Sequence, residues 1–506
     1  MAERLIGFAQ FIHELSFCLP VPGRRQVNVS TESTGERADL TPLRCTASVL
    51  VEHYYDNSTL TKCASVIPEV ETPSRHTSNS QPSGILGPLF ARAILAFVTN
   101  SMAHTSYPRK RWLILTVAWG SFFAIAMAWY VMPTLQPEIL IIYDISAAEF
   151  RLALTIPFLV AAVLAIPGGM IADRLGIRRA ASSGIAIAGI GFVLRSHTAG
   201  LWSLLFAMML VGVGMGLTMP NLPKLVSVWF PPEEAGLATG IYSTGLLGGI
   251  STGLVIAPYL PGWSSGNLLL GGLVLLLTIV FFGVVRDAPL GTSRAKSPLS
   301  DGIKRAVRSR NAWLAAIGVF GGTAGMVAIQ GELPVGLLSV HGIPTVTGGR
   351  IAAVISYSAL VGSLTIPGIA TKLGRRRTIL FFISIGFGIV ILPVWITGGV
   401  SVLYVGSALA GYMAGGALPI LLEVPTWLPR IESDPVGQDH VGGASGLLIA
   451  MLNLGGFIGL PLLVGPVIEI QGYTLGFLVA VFLFAFQGFF GLGIGFPEVT
   501  PESDRY

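Results

Sequence analysis

About twelve apolar segments, each about 20 residues long and parted by short polar breaks, fill this chain from Trp112 onward. Their approximate cores are 112–134, 148–171, 180–198, 201–223, 235–258, 265–285, 311–331, 349–371, 378–397, 400–423, 441–464 and 473–496. Inside a bilayer a segment must satisfy its own backbone amides and carbonyls, so runs of this length are helices. The fold class expected is an all-α, multi-pass membrane protein. Only 11% of the 506 residues are charged, where a soluble domain carries about 25%. The 63 glycines suit helices that pack through small residues.

Charge sets the orientation. Alternate loops carry Arg109-Lys110-Arg111, then Arg174, Arg178 and Arg179, then Arg294, Lys296, Lys304, Arg305, Arg308 and Arg310, then Lys372 and Arg375-Arg376-Arg377. The opposite set holds little beyond Arg151, Arg195 and Arg350. The positive-inside rule then puts both termini in the cytoplasm of a cell-membrane protein. The net charge of +5 therefore reports topology, not nucleic-acid binding. Cys18, Cys45 and Cys63 show no metal-binding spacing, and no phosphate-binding glycine loop is present. The reading is a non-enzyme with no catalytic residue, cofactor or metal, and without its own ATP drive.

Residues 1–105 are polar, with a Ser/Thr/Pro-rich stretch from Thr72 to Ser83. Ile6–Leu19 is too short to span, and, interrupted by His13 and Glu14, it fits a signal peptide poorly. The segment reads either as a largely disordered cytosolic extension or as untranslated, with the start at Met102.

Between the second and third spans lies Gly168-Gly169-Met170-Ile171-Ala172-Asp173-Arg174-Leu175-Gly176-Ile177-Arg178-Arg179. The glycines allow a tight turn, Asp173 can cap the next helix or pair with an arginine, and the arginines hold the turn in the cytoplasm. Gly169, Asp173, Arg174, Gly176, Arg178 and Arg179 fit the loop between helices 2 and 3 of the major facilitator superfamily, which this chain resembles over about residues 110–495. A degenerate second copy stands at Gly374 with Arg375-Arg376-Arg377, where Thr371 replaces the aspartate. Gly236-Leu-Ala-Thr-Gly240 likewise matches Gly442-Gly-Ala-Ser-Gly446, and Gly249 and Gly253 match Gly455 and Gly459. The resemblance implies two pseudo-symmetric six-helix halves, 106–287 and 311–496, a basic linker 288–310, a tail 497–506, and transport by alternating access. Gly240, Gly249 and Gly253 open an exchanger pattern, but Leu254 stands in its proline position, so exchange is not inferred.

Ionisable residues inside spans are costly unless used, which makes them candidates. Arg151 and Arg350 start spans 2 and 8 and can grip a small anion from both sides, as arginines on these helices do in nitrate and nitrite members of the family. Arg151 lies 22 residues before Asp173, about 33 Å along a helix, hence near the outer mouth. Its plain alternative is a snorkelling arginine paired with Glu149. Lys224 and Glu423 form a second symmetric pair after Gly/Pro-rich runs, one to attract an anion and one to carry a proton. Glu332, ending span 7, is a coupling residue or an external-loop residue. Tyr130, Tyr242, Tyr357 and Asn453 are cavity-lining candidates, with Trp129 and Tyr412 behind them. Trp229-Phe230-Pro231 followed by acids resembles carriers of nitrate, cyanate-like compounds and organic anions.

The leading function is a monomeric secondary transporter of a small inorganic or organic anion, coupled to protons. Drug efflux is the alternative within transport, and a membrane sensor using residues 1–105 is the alternative outside it.

Overall fold

The structure is a computed structural model that describes residues 110–287, 299–431, 433–437 and 440–495. Both readings of residues 1–105 lie outside the described residues. The regular elements among the described residues are helices: α1 Lys110–Trp129, α2 Gln136–Tyr143, α3 Ala147–Leu175, α4 Ile177–Arg195, α5 Leu201–Thr218, α6 Asn221–Trp229, α7 Pro232–Ile256 and α8 Trp263–Val284. After the linker come α9 Leu299–Arg308, α10 Arg310–His341, α11 Thr345–Lys372, α12 Arg376–Thr397, α13 Val400–Leu422, α14 Val424–Trp427 and α15 Val441–Ile458. A π-helical turn, Gly459–Val464, joins α15 to α16 Gly465–Gln471, and α17 Tyr473–Leu492 closes the bundle. Twelve helical spans among the described residues are long and apolar enough to cross a membrane, as expected.

Several boundaries differ from the sequence reading, among them spans 4, 10 and 11, which run on to Trp229, Arg430 and Gln471. Span 1 stops at Trp129, five residues early, and a turn through residues 130–135 leads into α2. Span 7 runs ten residues further, to His341, because Pro334 is accommodated inside α10. A proline inside a buried membrane helix is tolerated where neighbouring helices satisfy the freed carbonyl. The expected linker of 288–310 is not all loop, since α9 occupies most of its second half.

Small residues set the spacing. Gly168 of α3 lies against the backbone of Gly216 in α5, and Gly411 and Gly415 of α13 lie against the backbone of Ile355 and Ala359 in α11. Any side chain at these positions would meet main-chain atoms that cannot move aside. This close approach is how helices gain packing energy without a water-driven force.

Spans 1–6 pack chiefly among themselves, as do spans 7–12. The groups meet where α7 lies against α11 and α3 against α15. One buried apolar core takes in spans 1–6 and the part of spans 7–12 remote from the linker, including Val327, Ile329, Leu333, Ile351, Phe387, Leu460 and Phe484. At the linker end the C-terminal spans form a separate core around Ala316, Val319, Leu380, Leu421 and Leu448. The two groups thus share a core at the end remote from the linker (the far end), and not at the linker end.

Candidate functional site

The far-end closure is held by charge. Arg151 is 1% exposed in the second turn of α3 and points across the divide between the two groups. Its Nε donates to Glu332 Oε1 of α10 at 2.8 Å, and its Nη1 donates to Glu469 Oε1 of α16 at 2.6 Å. The side chain of Glu332 is 1% exposed and that of Glu469 is 49% exposed. One arginine from the N-terminal spans therefore holds two carboxylates from the C-terminal spans. The cluster carries one negative charge beyond neutrality when all three groups are ionised. A buried pair of this kind contributes little net stability, yet removing one partner strands a charge in a low dielectric.

The local chain explains why Arg151 reaches this position. Ser146 caps α3: its Oγ accepts from the Glu149 amide at 3.3 Å, while Glu149 Oε2 accepts from the Ser146 amide at 2.7 Å. That reciprocal capping box occupies Glu149, and Arg151 is buried on Glu332, so the alternative of a snorkelling arginine paired with Glu149 is not what the fold holds. On the opposite wall, a Cβ on Gly465 would lie 3.0 Å from Arg151 Cδ, so glycine leaves room for the guanidinium. The π-turn before it contains Pro461, and Pro466 follows it. Such turns carry one residue more than an α-helix and so reset the phase of the downstream helix by about 100°. Glu469, ten residues beyond Gly459, is delivered to Arg151 through this turn.

Further polar contacts continue the closure between the end of α7 and α11. Arg350, at the start of α11, does not join Arg151 on one ligand. It is exposed and donates through Nη2 to the Tyr259 hydroxyl at 2.6 Å. Tyr357 is 43% exposed, and its hydroxyl lies 3.0 Å from Thr252 Oγ1. Gly349 fits against Thr134 and the Leu254 carbonyl, where a Cβ would come within 2.6 Å of Thr134 Oγ1.

The other sequence candidates divide. Glu332 is not an external-loop residue; it is 0% exposed, well within α10. Asn453 is 1% exposed, donates to Ile449 O within its own helix, and has an Oδ1 with no partner among the described residues. Gln330 and Ser356, not selected from sequence, form a buried pair at 2.5 Å between α10 and α11. Tyr130 is 1% exposed and packs edge-on to Trp129, so it is core. Trp129 donates to Leu154 O, and Tyr412 accepts from Thr365 Oγ1 at 3.1 Å. Tyr242 lines a small apolar cavity with Ile114, Leu115, Leu225 and Phe230, within the N-terminal spans. Lys224 donates to the Gly169 carbonyl at 2.9 Å, and Glu423 lies 3.8 Å from Arg376 Nη1. These two thus serve their own groups of helices and do not face one another.

The turn between α3 and α4 is tight, as its glycine suggests. Gly176 has φ +89°, a conformation that suits glycine. At the start of α4, Asp287 Oδ1 accepts from the Arg178 amide at 2.8 Å. The side chain of Asp173 lies outside the described residues. Arg178 donates through Nε to Phe282 O and lies 3.9 Å from the Phe282 ring centroid. Arg174 and Arg179 are exposed. The turn is thereby tied to the last residues before the linker.

Missed from sequence was Glu469. Its signal was an acid near the end of an apolar run that continues past residue 464.

Comparison with known proteins agrees with this fold. The family model of the Major Facilitator Superfamily matches residues 117–460. A probable nitrate/nitrite transporter, NarK2, of Mycobacterium tuberculosis is 26% identical over 374 residues, covering 70% of this chain and 89% of that protein. A nitrite extrusion protein of Bacillus subtilis is 25% identical over 364 residues, covering 70% and 86%. Among solved structures, a bacterial homolog of the human lysosomal transporter Spinster, in an inward-facing and occupied conformation, superposes with a TM-score of 0.60 at 16% identity. It covers 76% of this chain and 97% of that one.

Proposed function

The chain belongs to the major facilitator superfamily and is a multi-pass secondary transporter, and from that premise we propose that it moves a small anion by alternating access, coupled to protons. The observation that carries the proposal is Arg151, buried between the two groups of spans with Glu332 and Glu469 as its ligands. An anion and a carboxylate compete for the same guanidinium donors. Protonation of a carboxylate releases Arg151 to the anion; departure of the proton draws Arg151 back and closes the far end. The nitrate and nitrite names of two relatives support the choice of substrate class. With the charge bias of its loops, the far end is extracellular and the linker end cytoplasmic. Arg350, exposed beside Tyr259, serves as the outer receiving group, and Tyr357 and Asn453 line the path. Lys224 and Glu423 act at the linker end, where they hold neighbouring backbone and side chains rather than substrate.

A thermal-shift panel on purified protein tests this, because a ligand that prefers the folded state raises its apparent stability. Nitrate, nitrite, cyanate or small carboxylates should raise the midpoint. A rise with hydrophobic cations alone would instead assign drug efflux.

A further inference from the structure

We propose that the face of α9 bearing Lys304, Val307 and Arg308, continued by Arg310 and Trp313 at the start of α10, binds the headgroup of an anionic phospholipid at the linker end of the bundle. The helix is fixed on its other side. Gly302 lies against Gly443 of α15, where a Cβ on Gly443 would collide with the Gly302 backbone, and Ala306 is fully buried. Ser309 donates to Asp434 Oδ2 at 2.7 Å and accepts from the Ala312 amide, ending α9 and starting α10. Arg305 turns toward the Pro435 carbonyl at 3.4 Å. Lys304, Val307 and Arg308 stand at i, i+3 and i+4, so they share the remaining face.

Trp313 shows which medium that face meets. It lies in the first turn of the seventh span, is 37% exposed, and donates through Nε1 to the Val307 carbonyl at 2.9 Å. Tryptophan at the end of a span sits at the membrane interface. Val307 is 49% exposed beside it, an apolar side chain flanked by two cations. Lys304 has Asp301 at 3.8 Å, but both side chains are mostly exposed, and such a pair holds weakly. Among the described residues, neither Arg308 nor Arg310 has a carboxylate partner. Two or three cations around an apolar side chain at interface depth match a phosphate headgroup above its acyl chains, and do not match a soluble anion. Cations near a membrane surface attract anionic lipid by about fivefold each.

The test is native mass spectrometry of the full-length protein released from micelles doped with phosphatidylglycerol or phosphatidylcholine. The parent should retain phosphatidylglycerol in preference, and K304Q/R308Q should hold it about 30-fold more weakly. The triple variant K372Q/R375Q/R377Q, also at exposed positions of the linker end, should retain it as the parent does. Unchanged retention in K304Q/R308Q, or loss only in the triple variant, overturns the assignment. So does equal retention of phosphatidylcholine, or displacement of the lipid by millimolar glycerol phosphate. Both altered residues of K304Q/R308Q are exposed, and a thermal midpoint in phosphatidylcholine equal to the parent's verifies that the variant is folded.

Discussion

Replacing Arg151 by glutamine should open the far end of the bundle rather than unfold it. Arg151 belongs to the N-terminal spans and both of its carboxylates to the C-terminal spans, so the cluster exists only while that end is closed. In R151Q, closure would bury Glu332, 0% exposed, with no counter-charge. Breaking a buried pair in this way costs about 3–5 kcal/mol. Glu469 adds little, because half of its side chain is in solvent. In the open state water reaches Glu332 and the cost disappears. At about 1.4 kcal/mol per factor of ten, the closed-to-open ratio should fall by at least about 100-fold. Thr134, 2% exposed at the closure, reports this as T134C in a chain whose Cys18, Cys45 and Cys63 are serine. An impermeant maleimide should label it about 100 times faster in R151Q. The double variant R151Q/E332Q buries no stranded charge and should return to within about tenfold of the parent, a non-additivity that marks direct coupling. Equal labelling in all three folded proteins would refute the reasoning.

Three further outcomes rest on single contacts. Y357F removes the hydroxyl that meets Thr252 across the divide, which contributes about 0.5–1.5 kcal/mol, so T134C labelling should rise roughly two- to tenfold. G415V places a branched side chain against the Ala359 backbone at the α11–α13 crossing, and should lower the thermal midpoint and yield far more than a leucine-to-valine change on the lipid face. D287N weakens the acceptor at the start of α4, and G176A adds strain at φ +89°; each should slow transport while leaving the far-end closure, read by T134C labelling, within about threefold of the parent.

The fold was largely legible because the bilayer imposes one length and one backbone solution, and twelve runs met both. The turn at Gly169–Arg179 was legible because glycine, charge and position between two spans coincide there. The site was legible only in part. Arg151 and Arg350 stand at equivalent places in the internal repeat, yet repeat symmetry concerns position and not partners. The C-terminal spans supply two acids to Arg151, while the N-terminal spans meet Arg350 with Tyr259. Glu469 was hidden because Gly465 and Pro466, directly after residue 464, read as the end of span 11, whereas the helix continues through them after a π-turn. Glu332 was placed at a helix end for the same reason, with Pro334 as the misleading signal. The contact of Asp287 with the Arg178 amide joins residues too far apart in sequence for local spacing to reveal. The linker helix was readable in its own right from the apolar positions Ile303, Ala306 and Val307 among cations, but the basic composition of the loop masked it.

The most direct test of the central claim is uptake into proteoliposomes of nitrite and nitrate, with and without an imposed proton gradient, by the parent and by R151Q. The account predicts saturable anion uptake that responds to the gradient and is lost in R151Q, although that variant remains folded and labels at T134C. Parental uptake rates in R151Q, or a parent that moves hydrophobic cations and no anion, would contradict it.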